Sequence, residues 1–248
     1  MKRKVRIVLL IVCILILLGG GVYLYMESLQ RTEEKDMYED LQEEVKTEEP
    51  QEVEEPDVIP IDFAKLRKKN PDIYAWIQIE DTNIDYPIVQ HETDDSYYLN
   101  HTIEGKAGYP GSIYTERVNA KDFSDFNTVV YGHDMKDGSM FKHLHKFENE
   151  KFFKNHDTIH VYTETEHKIY KIFAAVVYSD KHLMYAYNYE NEKEREAFIH
   201  SLYETHSMKN LYREDVQVDA DSHILTLSTC IGSQPTKRYL VVAVETDE

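Results

Sequence analysis

Near the end of the chain stands Ile224-Leu225-Thr226-Leu227-Ser228-Thr229-Cys230, with Arg238 eight positions further on. The run alternates and is rich in β-branched residues, which is the pattern of a strand. Cys230 falls where that strand gives way to Gly232-Ser233-Gln234-Pro235, a turn-forming cluster. A second β-run, Tyr239-Leu240-Val241-Val242-Ala243-Val244, begins directly after Arg238. The spacing therefore predicts a thiol at the end of one strand facing a guanidinium at the start of the next. That pair is a nucleophile beside a fixed positive charge, and it becomes chemistry when a base joins it.

A candidate base stands upstream, although a histidine in such a setting, taken alone, is more often an ordinary polar turn residue. Thr128-Val129-Val130-Tyr131 reads as a strand and leads into Gly132-His133-Asp134-Met135, so His133 also stands where an apolar strand meets a glycine-bearing loop. Further strands are expected over 73–79, 82–89 and 111–114, and a strand pair over 158–162 and 168–178. Phe63 and Leu66 predict a short helix stopped at Pro71. A helical turn capped by an Asp is expected over 94–99, and a short helix over 138–144. Phe198, Ile199, Leu202 and Tyr203 sit at helical spacing in a charged stretch, an amphipathic helix over 190–206. Trp76 reads as core. The sum is a mainly β domain of about eight strands with a few helices, a β-barrel or β-roll decorated at its edges.

The first residues have a different character. Lys2, Arg3, Lys4 and Arg6 precede an uncharged run from 7 to 25. As a helix that run spans roughly 28 Å, close to a bilayer's hydrocarbon thickness. A cleavable signal peptide has a shorter apolar core ending in a small-x-small site, whereas here Gly19-Gly20-Gly21 is followed by Val22-Tyr23-Leu24-Tyr25. The run reads as an uncleaved transmembrane helix, with the cationic end in the cytoplasm and the rest of the chain outside. From 31 to 58 thirteen Asp/Glu stand against three Lys/Arg, and Pro50 and Pro56 interrupt any helix. That segment reads as a solvated, extended stalk, partly helical at most. The divisions are thus 1–28 for tail and anchor, 29–58 for the stalk, and 59–248 for the globular domain. The net charge is −18, and the globular part is itself acidic, which argues against nucleic acid as a partner.

Only Cys13 and Cys230 exist, and Cys13 lies inside the apolar run. An exported domain with one thiol cannot close a disulfide within itself, so Cys230 is a candidate reactive thiol. A buried inert cysteine is the plain alternative; the polar neighbours Ser228, Thr229 and Arg238 favour reactivity.

Leu227-Ser228-Thr229-Cys230 with its arginine, and Tyr131-Gly132-His133-Asp134-Met135 upstream, resemble the sortase family. Asn70-Pro71-Asp72 before Trp76-Ile77, the run Ile84-Asp85-Tyr86-Pro87-Ile88-Val89-Gln90 and Gly138-Ser139-Met140-Phe141 resemble class B in particular, as does the long helix before the cysteine strand. The resemblance covers about residues 61–246. It implies a single eight-stranded β-barrel with peripheral helices and a membrane-anchored cysteine transpeptidase that uses neither cofactor nor metal. The implied partners are secreted proteins carrying a C-terminal sorting signal and, as acceptor, an amine of the peptidoglycan precursor. By the same resemblance Cys230 is the nucleophile, His133 the acid and base, and Arg238 the group that steadies the substrate or the oxyanion. Ser228, with Thr229, would lie near substrate. Asp95 and Leu99 stand where some relatives use an Asn-x-x-x-Leu pair to line the motif pocket.

Three other readings compete. A cysteine peptidase also uses thiol and imidazole, but the papain-like Cys-Gly-Ser/Ala-Cys setting is absent, and caspase-like enzymes place the histidine about 50 residues ahead of the cysteine. A tethered binding module would exploit the 19 tyrosines and leave Cys230 dispensable. His143, His145, His156, His160 and His167 crowd one region, yet they lack metal-ligand spacing and read as a solvated histidine-rich face.

Overall fold

The computed structural model describes residues 2–46, 59–108 and 110–246. Two compact units result, Met1–Glu44 and Val45–Glu248. Helix α1 (Lys2–Val45) takes in the whole apolar run and continues into the acidic residues. Its segment Ile7–Met26, 20 residues with a mean hydropathy of 3.0, is long and apolar enough to cross a bilayer. The shift in composition near residue 29 is not a shift in secondary structure. Glu, Gln, Lys and Leu are strong helix formers, and an i,i+4 pair joins Lys35 to Glu39 at 3.2 Å. The rest of the acidic segment, 47–58, lies outside the described residues.

In the second unit α2 (Phe63–Lys69) begins at Asp62, whose carboxylate accepts from the Lys65 amide at 3.0 Å, and ends at Asn70, just before Pro71. The strands follow in order: β1 (Ile73–Gln78), β2 (Asp85–Val89), β3 (Asn127–Tyr131), β4 (Thr158–Thr163), β5 (His167–Ser179), β6 (Leu211–Tyr212), β7 (Ile224–Cys230) and β8 (Lys237–Thr246). Between them lie α3 (Glu150–Asn155), α4 (Leu183–Ala186) and α5 (Glu192–Tyr203). The sheet runs β2-β1-β4-β5-β8-β7-β3, with β6 beside β5. Every pairing is antiparallel except β3 with β7, which is parallel. A parallel pair cannot be joined by a tight turn, and the connection here contains β4, β5, β6 and three helices.

The open edges of that order, β2 and β3, are closed by one residue. Tyr114 bridges Val89 of β2 on one side and Tyr131 of β3 on the other. The Val89 amide donates to Ile113 O and the Thr115 amide to Val89 O, each at 3.0 Å; Tyr114 and Tyr131 exchange amide bonds of 3.1 and 2.8 Å. The sheet therefore curls into a barrel, which removes exposed strand edges. The strand expected over 111–114 is reduced to this staple. Pro110 has no amide to give, and Gly111 takes φ +71, where a Cβ would lie 2.5 Å from Leu99 O.

Two other elements differ from expectation in kind. The turn over 94–99 is a 3-10 turn at Tyr97–Leu99, and Asp94 accepts from the Ser96 amide at 2.9 Å without capping it. The short helix after Gly138 is also 3-10, Phe141–Glu148, entered through Met140 at φ +54. Strand β7 is buried along nearly its whole length and does not alternate in and out. One face packs under α5, where Phe198 and Leu202 join Val129, Phe173, Ile224, Leu240 and Val242 in a core cluster. Its other face carries Leu225 and Leu227, both fully buried. Covering both faces buries the polar Thr226, Ser228 and Thr229 along with the apolar residues.

Candidate active site

The sheet order brings the three singled-out residues to one margin of the barrel. In the parallel pair Tyr131 lies opposite Ser228, and the Gly132 amide donates to Ser228 O at 3.1 Å. His133 follows that pair by two residues, just past the end of β3, and Cys230 follows it by two as the last residue of β7, although they are 97 positions apart in the chain. In the antiparallel pair Cys230 is directly opposite Arg238. All three open on a cleft of about 540 Å³, whose walls include Leu99, Tyr114, Tyr131 and His182.

Each side chain is held by its surroundings. His133 Nε2 donates to Leu99 O at 2.8 Å, so the 3-10 turn on the far wall orients the imidazole. Arg238 Nη1 donates to Pro235 O at 3.0 Å and to Lys237 O at 2.9 Å, which folds the guanidinium back over the β7–β8 loop. The Cys230 thiol is half-buried. Gly132 makes the exit from β3 possible. A Cβ there would lie 2.5 Å from Ile113 Cδ1 and 2.6 Å from Phe141 Cγ, inside van der Waals contact.

Ser228, Thr229, Asp95 and Leu99 also line the cleft. Ser228 and Thr229 are buried, and Leu99 is half exposed. The Asp95 carboxylate is engaged: Arg117 donates to it from its amide at 2.8 Å, from Nε at 3.0 Å and from Nη2 at 3.1 Å. Those hydrogen bonds from Arg117 hold the Asp95 carboxyl below the usual carboxylate range.

Sequence reasoning passed over Glu116 and His182. Glu116 is 7% exposed and its Oε1 meets His182 Nε2 at 2.8 Å within the cleft wall. Burial pushes the Glu116 carboxyl up, and His182 opposes the shift. Tyr114 and Tyr131, which carry the barrel closure, stack beside them with centroids 5.4 Å apart. Glu116 follows the closing residue by two positions, a faint signal. His182 lies in the loop after β5 and carries no sequence signal, because only the sheet order brings that loop to the cleft.

The five clustered histidines disperse. His143 Nδ1 accepts from the Asn83 amide at 2.9 Å, and burial pushes its imidazole down. His156 Nε2 lies 2.9 Å from Asp81 Oδ2, which pushes its imidazole up. His160 Nδ1 and His167 Nε2 are 3.0 Å apart on the β4–β5 hairpin. His145 lies beneath Cys230, with Nε2 3.1 Å from its carbonyl oxygen. Among the described residues no three His, Cys, Asp or Glu side chains come together as a metal site would need.

Known proteins match both the sequence and this architecture. The sortase domain model matches residues 77–246. Sortase B of Listeria monocytogenes is 33% identical over 165 residues, which is 66% of this chain and 65% of that protein. Sortase B of Staphylococcus aureus is 30% identical over 249 aligned positions, covering 98% of this chain and 97% of that one. A crystal structure of sortase B from Bacillus anthracis superposes with a TM-score of 0.72 at 30% identity, covering 89% of this chain and 99% of that one.

Proposed function

Since the chain belongs to the sortase family of cysteine transpeptidases and is class B-like, we propose that it cuts a secreted protein's C-terminal sorting motif after threonine and joins the new end to an amine of the cell wall or of a pilin lysine. The observation that carries this reading is that His133, just past the end of β3, lines the same cleft as the facing pair Cys230 and Arg238 of β7 and β8. The Cys230 thiolate attacks the threonine carbonyl carbon, and the tetrahedral oxyanion forms beside Arg238. The C–N bond then breaks, and His133 gives its proton to the leaving amine. A thioester to Cys230 remains. An incoming primary amine loses a proton to His133 and attacks the thioester, the C–S bond breaks, and the thiolate returns with a new amide as product. Arginine suits the oxyanion because it stays charged and its donors form a rigid fork. Ser228, Thr229, Asp95 and Leu99 line the approach and are the proposed contacts to the motif.

Acceptor dependence tests the reaction. A library of peptides with a fixed threonine is incubated with the chain and glycinamide. The expected result is a thioacyl adduct on Cys230 and peptide joined to glycinamide. Water as the only acceptor used would make the protein a peptidase, and turnover unaffected by Cys230→Ala would leave a binding module.

The same proposal includes an address: tail and anchor over 1–28, an acidic spacer over 29–58, and the catalytic domain over 59–248 on the outer side. The four basic residues ahead of Ile7–Met26 support a cytoplasmic N-terminus. Protease added to intact cells is expected to release the domain and leave a small membrane fragment. Recovery of the protein mainly as a soluble, N-terminally processed form would overturn the anchor.

A further inference from the structure

The hydrogen-bond ladder between β3 and β7 stops one rung short of the thiol. The Ser228 carbonyl accepts from the Gly132 amide at 3.1 Å, but β3 ends at Tyr131 and the chain turns away, so that Asp134 bridges Met140. The next carbonyl of β7 on that side, two residues along, is that of Cys230. Its donor is a side chain, His145 Nε2 at 3.1 Å. An extended strand end with an unmade rung would fray, and the thiol would move with it.

The ring of His145 is fixed on every side. Nδ1 lies 2.7 Å from Glu148 Oε1, and the ring stacks on the fully buried Tyr239 with centroids 5.1 Å apart. Asp134 Oδ2 stands 3.7 Å from Nε2. Each carboxylate has its own lysine, Lys209 on Glu148 at 2.6 Å and Lys142 on Asp134 at 2.8 Å. Both ring nitrogens thus face acceptors. Imidazolium donates to both, neutral imidazole to one. Burial pushes the Glu148 carboxyl up, but the hydrogen bonds from Lys209 and His145 outweigh it and hold the group below its ordinary value. Tyr239 follows Arg238 in β8, so the same ring touches the strands that carry both the thiol and the guanidinium.

We propose that His145 is a positioning residue for the nucleophile: its Nε2–H supplies the rung that β3 does not reach, and so holds the Cys230 backbone opposite Arg238 in the cleft that His133 also lines. This rests on the transpeptidase reading, in which Cys230 forms the thioester. His145 touches no substrate in this role and acts through Cys230 alone.

Two amides separate this role from plain core packing. The glutamine amide reaches about as far as Nε2 and the asparagine amide about as far as Nδ1. His145→Gln therefore keeps the bond to Cys230, and His145→Asn keeps only the bond to Glu148. The full-length chain in detergent micelles is assayed for single-turnover thioacyl formation with the best peptide of the fixed-threonine library, and its melting is followed in parallel. His145→Asn is expected to slow thioacyl formation about 100-fold at saturating peptide, as a misplacement of about 1 Å does. His145→Gln is expected to lose less than about tenfold, with a similar drop in melting temperature. His145→Phe keeps the stack on Tyr239 and neither bond. It is expected to match the asparagine variant and replaces it should that variant not fold. Equal losses in the Gln and Asn variants, or no loss in either, overturn the inference while leaving the transpeptidase reading in place. A wild-type chain that forms no adduct on Cys230 overturns that reading, and the inference with it.

Discussion

At the margin of β3, β7 and β8 a histidine shares a cleft with a thiol and a guanidinium that face each other across two strands. On the β4–β5 hairpin, His160 and His167 stand in contact with each other, 3.0 Å apart and stacked at 5.2 Å. The residue type is the same and the strands belong to one sheet. The difference lies in what the register puts alongside. In the hairpin the partner strand is the next stretch of chain, so a local run of histidines meets itself. In the parallel pair the partner comes from far along the sequence and brings another chemistry to the same cleft. Burial pushes both hairpin imidazoles down; His160 adds to the shift at His167, while Glu80 opposes it at His160. Position in the sheet, and not histidine content, separates a histidine that shares a cleft with a thiol from a stacked pair.

The largest effects are expected at Cys230, His133 and Arg238. Cys230→Ala is expected to abolish thioacyl formation, because no other thiol exists outside the apolar helix. His133→Ala is expected to cost about 10²–10⁴-fold in rate, the usual worth of a positioned proton-transfer group. Arg238→Lys keeps the charge and loses the fork, and a loss of about 10²–10³-fold is expected, as for an oxyanion donor. All three changes lie at strand ends, so thermal melting is expected to stay cooperative. Near-normal turnover in the His133 or Arg238 variant would mean that the shared cleft is a coincidence of the sheet order.

Gly132→Ala probes how that margin is built. The added methyl has to displace Ile113 and Phe141, an overpacking that typically costs about 1–3 kcal/mol, and it pushes at the residue next to His133. Melting temperature and rate are expected to fall together; an unchanged rate in a destabilised protein would separate core packing from site geometry.

The smallest effect is expected on the hairpin. A histidine whose folded value is depressed binds a proton more readily when unfolded, so its contribution is present above about pH 6.5 and is lost as pH falls through the lower folded value. His156 works in the opposite sense, since Asp81 raises it and its contribution is lost as pH rises. The informative quantity is therefore the difference between wild type and His167→Gln in matched buffers. Wild type is expected to lose more melting temperature than the variant between about pH 7 and about pH 5. Turnover at fixed pH is expected to be the same in both. A larger acid loss in the variant would mean that His167 is stabilised by a proton.

Much of the candidate site was legible in the sequence. Cys230, His133 and Arg238 each stand where an apolar strand meets turn chemistry, and local composition marks such places well. The helix stop at Pro71 and the helix over Glu192–Tyr203 followed from proline geometry and spacing in the same way. The acidic stretch was harder. Its charge argued for solvation, yet solvated helices are built from the same Glu, Lys and Gln, and α1 continues to Val45. Charge reports on contact with water, and it is silent on backbone conformation when the charged residues are helix formers.

The sequence by itself determined most of the long strands, which segment is long and apolar enough to cross a membrane, and that one thiol lies in the globular part. These are properties of windows of about ten to twenty residues, set by periodicity, propensity and composition. Only the tertiary structure decided that β3 lies parallel to β7, that Tyr114 closes the barrel, and that the loop carrying His182 meets Glu116. It also decided that His145, one of five histidines with the same local appearance, supports the Cys230 carbonyl. Pairing partners are selected by how two faces of a curled sheet can be buried together. That selection is made by the whole set of strands at once, so no single stretch of sequence contains it.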